Sequence, residues 1–159
     1  MTECKALLLT DVVDSTKLME RLGDKAMAEA WAAHDRAARD LLSRWRGREF
    51  GKTDGMLLLF DSAADAVNYA HDYHRALRDL RVPLRARAGL HVGPVVLRRN
   101  STDDIAHGAK PLEVDGIAVP IVARIMSIAS GGQTLLSPQA REALAKSPLR
   151  IESHGHWRM

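Results

Sequence analysis

Two short apolar runs, Arg48 to Lys52 and Met56 to Phe60, flank the triplet Thr53-Asp54-Gly55. An Asp-Gly pair in that setting predicts a tight hairpin, because both residues tolerate the positive φ such a turn needs. A hairpin joins antiparallel strands, whereas a doubly wound parallel sheet needs a crossover after each strand. The chain is therefore expected to build a mixed or antiparallel sheet. A receiver-type domain also places an aspartate at a strand end, but on a parallel sheet, and the hairpin argues against it.

The flanking segments extend this reading. Lys5 to Leu9 is apolar enough for a buried strand. Leu18, Met19 and Leu22 suggest a short helix closed by Gly23. Met27, Trp31, His34, Ala38, Leu41, Leu42 and Trp45 recur at intervals of three and four, which predicts a longer helix ended by Gly47. A third helix is expected from Ser62 to Leu80. Leu84 to Val92 alternates, with Leu84, Ala86, Ala88 and Leu90 on one face and Arg85, Arg87 and His91 on the other. Gly93-Pro94 is expected to turn the chain into Val95 to Leu97 as a second hairpin. Arg98 to Leu112 reads as a long polar loop, Ile117 to Ala129 as a helix, and Gln133 to Leu136 as a strand. Ser137-Pro138 supplies an N-cap and a first-turn proline for a last helix, and Leu149 to Ile151 suggests one more strand.

Composition narrows the class. With 159 residues, 46% hydrophobic and 27% charged, the chain fits one ordinary globular domain, residues 1–159. Its one cysteine, Cys4, allows no internal disulfide, which suits a reducing cytoplasmic setting. The start, MTECK, lacks the apolar core of a signal peptide. No apolar run approaches the roughly 18 residues of a membrane-spanning helix. A net charge of +3 gives no ground for a nucleic-acid partner.

The chemistry centres on two carboxylates. Asp11 follows the run Leu7-Leu8-Leu9-Thr10, and Asp54 occupies the hairpin turn. If the first strand lies beside the hairpin, both meet at one end of the sheet, where they repel unless a cation lies between them. Oxygen donors suit Mg²⁺ or Mn²⁺, and a pair of such ions can activate a hydroxyl while holding a leaving phosphate. Backbone reasons alone also place aspartates in turns, so spacing leaves both readings open.

Four segments, in order, carry a resemblance. TDVVDST (Thr10 to Thr16), TDGMLLLF (Thr53 to Phe60), RARAGLHVGPVV (Arg85 to Val96) and DGIAVPIVARIMSIASGGQTLLS (Asp115 to Ser137) are similar to the successive motifs of class III adenylate and guanylate cyclases. Each motif alone is weak, but they span nearly the whole chain in the family's order. The resemblance implies a ferredoxin-like α+β domain of βαββαβ type, working as a head-to-tail homodimer with active sites at the interface. It implies conversion of a purine nucleoside triphosphate, ATP ahead of GTP, to a 3′,5′-cyclic monophosphate and pyrophosphate. Carried over by position, Asp11 and Asp54 hold two Mg²⁺ or Mn²⁺ ions with help from the Val12 carbonyl. Arg124 falls at the arginine that stabilises the transferring phosphate, a task for a planar, permanent cation.

Several positions depart from the family pattern. Phe50 stands where a base-reading lysine is usual, and Lys52 substitutes only if the hairpin is two residues shorter. Glu113 stands at the base-reading aspartate, and Pro120 at the asparagine that orients the ribose. Asp14 replaces a small residue and is expected to cap the following helix. The arginines at 78, 81, 85 and 87 read as a solvated face, and His34 and His91 as structural. The chain stops at GHWRM where a Gly-x-x-x-x-Lys-Gly segment is usual, so it resembles an excised catalytic domain, cut at its C-terminal hairpin, from a protein with further domains. Two alternatives stand beside an active cyclase. One is a degenerate cyclase-like domain that binds nucleotide or dimerises to regulate an attached module. The other is a different two-metal phosphoryl-transfer enzyme, which lacks support because no Gly-Gly-Asp/Glu-Glu-Phe run is present.

Overall fold

A computed structural model describes residues 2–52 and 55–146, with the Lys52 side chain outside that description. Within it the order is β1 (Thr2–Val12), α1 (Ser15–Leu22), α2 (Asp24–Arg44), β2 (Arg48–Lys52), β3 (Met56–Phe60) and α3 (Ala63–Arg78). Then come β4 (Ala86–Arg99), α4 (Thr102–Ala106), β5 (Leu112–Asp115), α5 (Ala118–Ser127), β6 (Thr134–Leu136) and α6 (Pro138–Ala143). The strands form one sheet in the order β2-β3-β1-β4-β5, with β6 added parallel to β4. All other pairings are antiparallel. The first four strands give the βαββαβ ferredoxin-like arrangement expected from the sequence.

Period-two alternation divides the core between the two faces of the sheet. Leu8, Leu58, Phe60, Ala86, Ala88 and Leu90 point to the face packed by α2, α3 and α6, where Tyr69 and Tyr73 are fully buried. Leu7, Leu59 and Val95 point to the opposite face, against Ala118 and Val122 of α5. Gly89 explains why α5 lies so close to β4. A Cβ there would sit 2.6 Å from the Met126 backbone nitrogen and 2.9 Å from the Val122 carbonyl oxygen.

The hairpin strands occur within the bounds read from the sequence, and Ser137 caps α6 as expected, its Oγ accepting from Ala140 N–H. Three expectations need correction. Gly93-Pro94 makes no turn. β4 runs straight through it, because β1 pairs with it continuously from Val12↔Ala86 to Thr2↔Val96. The proline falls between the stretches of β4 paired with β6 and β5, where a missing N–H leaves no ladder bond unmade. The second antiparallel pair is instead β4 with β5, and the expected long loop holds α4, with β4 reaching into its start and β5 beginning at its last residue. Finally, Asp14 sits at the N-cap of α1 but in left-handed geometry (φ 58°), and its side chain makes no capping hydrogen bond. The strand expected over Leu149 to Ile151 lies outside the described residues. No helix among the described residues is long and apolar enough to cross a membrane.

Candidate functional site

Thr10 and Asp11 hold the end of β1 where it meets the hairpin. The Thr10 side chain, buried, accepts the Met56 N–H at 2.9 Å, so a hydroxyl joins the ladder where the strands begin to part. The β1–β3 register continues from Leu9↔Leu57, which sets Gly55 across from Asp11. The contact there is close: a Cβ on Gly55 would lie 1.9 Å from the Thr10 carbonyl oxygen and 2.9 Å from the Asp11 Cα. Only glycine lets the two backbones approach this way. Asp54 and the Lys52 side chain lie outside the described residues.

Asp11 also lies across from Arg87 in the β1–β4 register. Arg87 Nε and Nη2 donate toward one oxygen, Asp11 Oδ2, at 3.0 and 2.9 Å, and Nη1 donates to the Ser127 carbonyl at 3.0 Å. Arg87 is thus no part of a solvated face. It ties the end of β1 to the C-terminal end of α5. Asp11 Oδ1 has no partner among the described residues, and the side chain is 26% exposed. It faces an open cleft of about 480 Å³ lined by the segment from Asp11 to Lys17 and by Arg87. Val12 is buried, so its contribution to that cleft is its backbone.

A buried polar chain stands behind Thr10. His34 Nε2 lies 2.7 Å from the Tyr73 hydroxyl, and His34 Nδ1 lies 3.0 Å from Asp35 Oδ1. Burial pushes the Tyr73 phenol above its ordinary range, while a hydrogen bond with Thr10 opposes that shift. His34 is therefore a hydrogen-bonded core residue, and His91, bonded to Ser137 Oγ at 2.9 Å, is structural too.

A second group forms where β5 and its preceding loop approach β2. The Phe50 ring is 8% exposed, packed with Leu7 and Leu59 and covered by the Arg48 guanidinium at 5.2 Å. Its carbonyl accepts from Lys110 Nζ at 2.9 Å. The same ammonium lies 3.3 Å from Glu113 Oε1, a buried oxygen without a hydrogen bond among the described residues. Phe50 and Glu113 are thus brought together, by a lysine that the sequence did not single out. Pro120 and Arg124 are four residues apart on α5, on its exposed side, opposite buried Ala118, Val122 and Ile125. The structure does not bring Arg124 to Asp11, and its guanidinium pairs with nothing among the described residues.

As to cations, no three His, Cys, Asp or Glu side chains gather among the described residues. What is present suits a hard cation in part: a carboxylate at a strand end, on a residue that lines an open cleft. It also carries a competitor, since Arg87 already neutralises Asp11.

No protein-family model matches the chain. An uncharacterised protein of Mycobacterium tuberculosis is 32% identical over 134 residues, which cover 82% of this chain and 41% of that protein. The chain thus spans about two fifths of that curated relative's length. Among solved structures, the guanylate cyclase domain of RhGC from Catenaria anguillulae, in complex with GTP, superposes with a TM-score of 0.82 at 18% identity, over 92% of this chain and 85% of that one. An adenylate cyclase from Trypanosoma brucei superposes with a TM-score of 0.78 at 23% identity, over 88% and 74%.

Proposed function

We propose, for a chain that has the class III nucleotide cyclase catalytic-domain fold, that it is a nucleotide cyclase acting on a purine nucleoside triphosphate. In the reaction the ribose 3′-hydroxyl oxygen bonds to the α-phosphorus, the bond from that phosphorus to the leaving pyrophosphate breaks, and the hydroxyl proton is released. The observation that carries the reading is the junction of β1 and β3. There Asp11 is held by backbone contact against Gly55, the residue covalently joined to Asp54, and opens onto a cleft.

Asp11, the Val12 carbonyl and Asp54 are the groups that would hold Mg²⁺ or Mn²⁺, ions that make a hydroxyl more acidic and offset phosphate charge. Arg87, a planar cation beside that carboxylate, is placed to meet phosphate oxygens once Asp11 no longer engages it. Arg124, exposed on α5 and without an ion pair among the described residues, is assigned to the charge that develops on the transferring phosphate. It is exposed and makes no contact with Asp11 among the described residues, so the reading has a second copy supply it. Ile117, 71% exposed at the start of the same helix, adds an apolar side chain to that face. We assign the homodimer interface there.

The test is product formation. The protein is incubated with ATP or GTP and Mn²⁺, and cyclic monophosphate is sought by chromatography, with Asp11→Asn and Asp54→Ala as controls. Product that disappears in both controls is expected. A folded, dimeric protein that makes none with either nucleotide overturns the enzyme reading. A regulatory, non-catalytic domain would then lead. Two observations favour that second reading: Pro120 is exposed in the first turn of α5 and offers no hydrogen bond to a ribose, and Arg87 already occupies Asp11.

A further inference from the structure

The polar groups behind the β1–β3 junction form a line whose hydrogen bonds run in one direction. It crosses four elements: Asp35 and His34 on α2, Tyr73 on α3, Thr10 on β1 and the Met56 amide on β3. A carboxylate only accepts, so His34 Nδ1, 3.0 Å from Asp35 Oδ1, carries a proton. In the neutral imidazole Nε2 is then bare, and the Tyr73 hydroxyl, 2.7 Å away, donates to it. With its proton committed, Tyr73 can only accept from Thr10, with which it also hydrogen-bonds. The Thr10 hydroxyl has its proton to give there. Its oxygen already accepts the Met56 N–H at 2.9 Å, and the Met56 carbonyl lies 3.5 Å off, beyond the usual O–H···O range. Packing holds both rings. Trp31 meets His34 edge-on at 5.6 Å, and Tyr73 stacks on Tyr69, whose hydroxyl donates to the Ala38 carbonyl.

We propose that His34 and Tyr73 are positioning residues: their line fixes the rotamer of the Thr10 hydroxyl and, through it, the end of β1 that presents Asp11. Thr10 immediately precedes Asp11, and its Oγ1 is the ladder acceptor at the first residue of β3. A threonine χ1 has three staggered positions. Leaving the present one would strand the Met56 N–H in the core, where an unpaired donor is costly. The bond to Tyr73 selects the rotamer that pairs it. Hydrogen bonds in a run of common direction polarise one another, so the Asp35 carboxylate strengthens the far end of the line. The consequence for catalysis rests on the cyclase reading above; the line itself does not.

The experiment is NMR on the 159-residue chain, with cyclic nucleotide formation measured beside it. In the ¹⁵N-labelled wild type the His34 ring is expected to show a protonated Nδ1 and a bare Nε2 at neutral pH. Tyr73→Phe keeps the ring and removes its hydroxyl. Thr10→Val keeps the shape of the side chain, and Thr10→Ser keeps the hydroxyl. In Tyr73→Phe and Thr10→Val the Met56 amide is expected to exchange with deuterium about tenfold faster, while Leu58 in the same strand stays within about twofold. Thr10→Ser should retain the protection. Turnover should fall about tenfold in kcat with KM within about twofold, and the double variant should be no slower than Thr10→Val alone. A neutral His34 with its proton on Nε2 would overturn the direction of the line. Faster exchange at Met56 and Leu58 alike, or at neither, would reduce the line to core packing. Selective exchange with unchanged kcat would overturn the positioning of Asp11. An inactive wild type would remove the cyclase reading and leave the tautomer and the exchange rates to decide the line.

Discussion

The two ends of the proposed site are held in different ways. At the β1–β3 junction the backbone does the positioning: Gly55 lies so close to Thr10 that no side chain fits between them, and the Thr10 hydroxyl completes the ladder. Around β5 the holding is by side chains, through Lys110 on Phe50 and Arg98 on Asp115, and the side chains of Lys110 and Arg98 are each more than half exposed. The first arrangement ties the strand end that carries a carboxylate to the backbone of its neighbour. The second can adjust to a ligand. That contrast matches a division between chemistry, which needs rigid placement, and recognition, which tolerates adjustment.

The contrast breaks most visibly at Gly55. Gly55→Ala forces β1 and β3 apart, and a loss of roughly 3 kcal/mol or more is expected from overpacking at backbone rather than at a flexible side chain. Denaturant unfolding reads it, and a loss near zero would mean that the junction is not rigid. Next comes acid. Burial lowers the His74 pKa from 6.5 to about 4, beside Thr134 Oγ1 at 2.8 Å. Between those values the unfolded chain binds a proton that the folded one does not, so stability falls as the pH drops from 6.5 towards 4 and this contribution levels off below that. His74→Gln should flatten that limb of a melting-temperature profile.

Asp11→Asn separates function from folding. It should abolish product, by a hundredfold or more on the order expected for a lost electrostatic group, yet cost under about 1 kcal/mol of stability because its ion pair is partly exposed. A large stability loss would make Asp11 a structural residue. The smallest effect belongs to the other region. Arg98→Ala removes an exposed pair with Asp115, whose carboxyl the arginine holds below its ordinary range. No measurable change in melting temperature is expected at physiological salt. A clear drop would show the β5 end to be as rigid as the junction.

The sequence made the junction legible and the other end much less so. An Asp-Gly pair between apolar runs is a local signal, and both hairpin strands lie where it places them. Periodicity likewise located α2 and α3, since an apolar stripe is written in neighbouring residues. Arg87 was misread because its partner is 76 residues away and is chosen by the β1–β4 register, which no local pattern contains. Gly93-Pro94 misled for a related reason, since eleven consecutive pairings outweigh one turn-forming dipeptide. Lys110 had no signal at all. It matters only because the chain before β5 folds back over β2, 60 residues earlier. The metal reading for Asp54 and the role of Lys52 rest on the motif alone, since both side chains lie outside the described residues.

The most direct test of a catalytic site shared between two copies is to mix two inactive variants. Asp11→Asn and Arg124→Ala should each make no cyclic nucleotide alone. Mixed in equal amounts and allowed to exchange, half the dimers are hybrid and one of the two sites in each hybrid is intact, so about a quarter of wild-type activity should return. Activity in the Arg124→Ala protein alone, or none from the mixture although hybrid dimers form, would contradict the account.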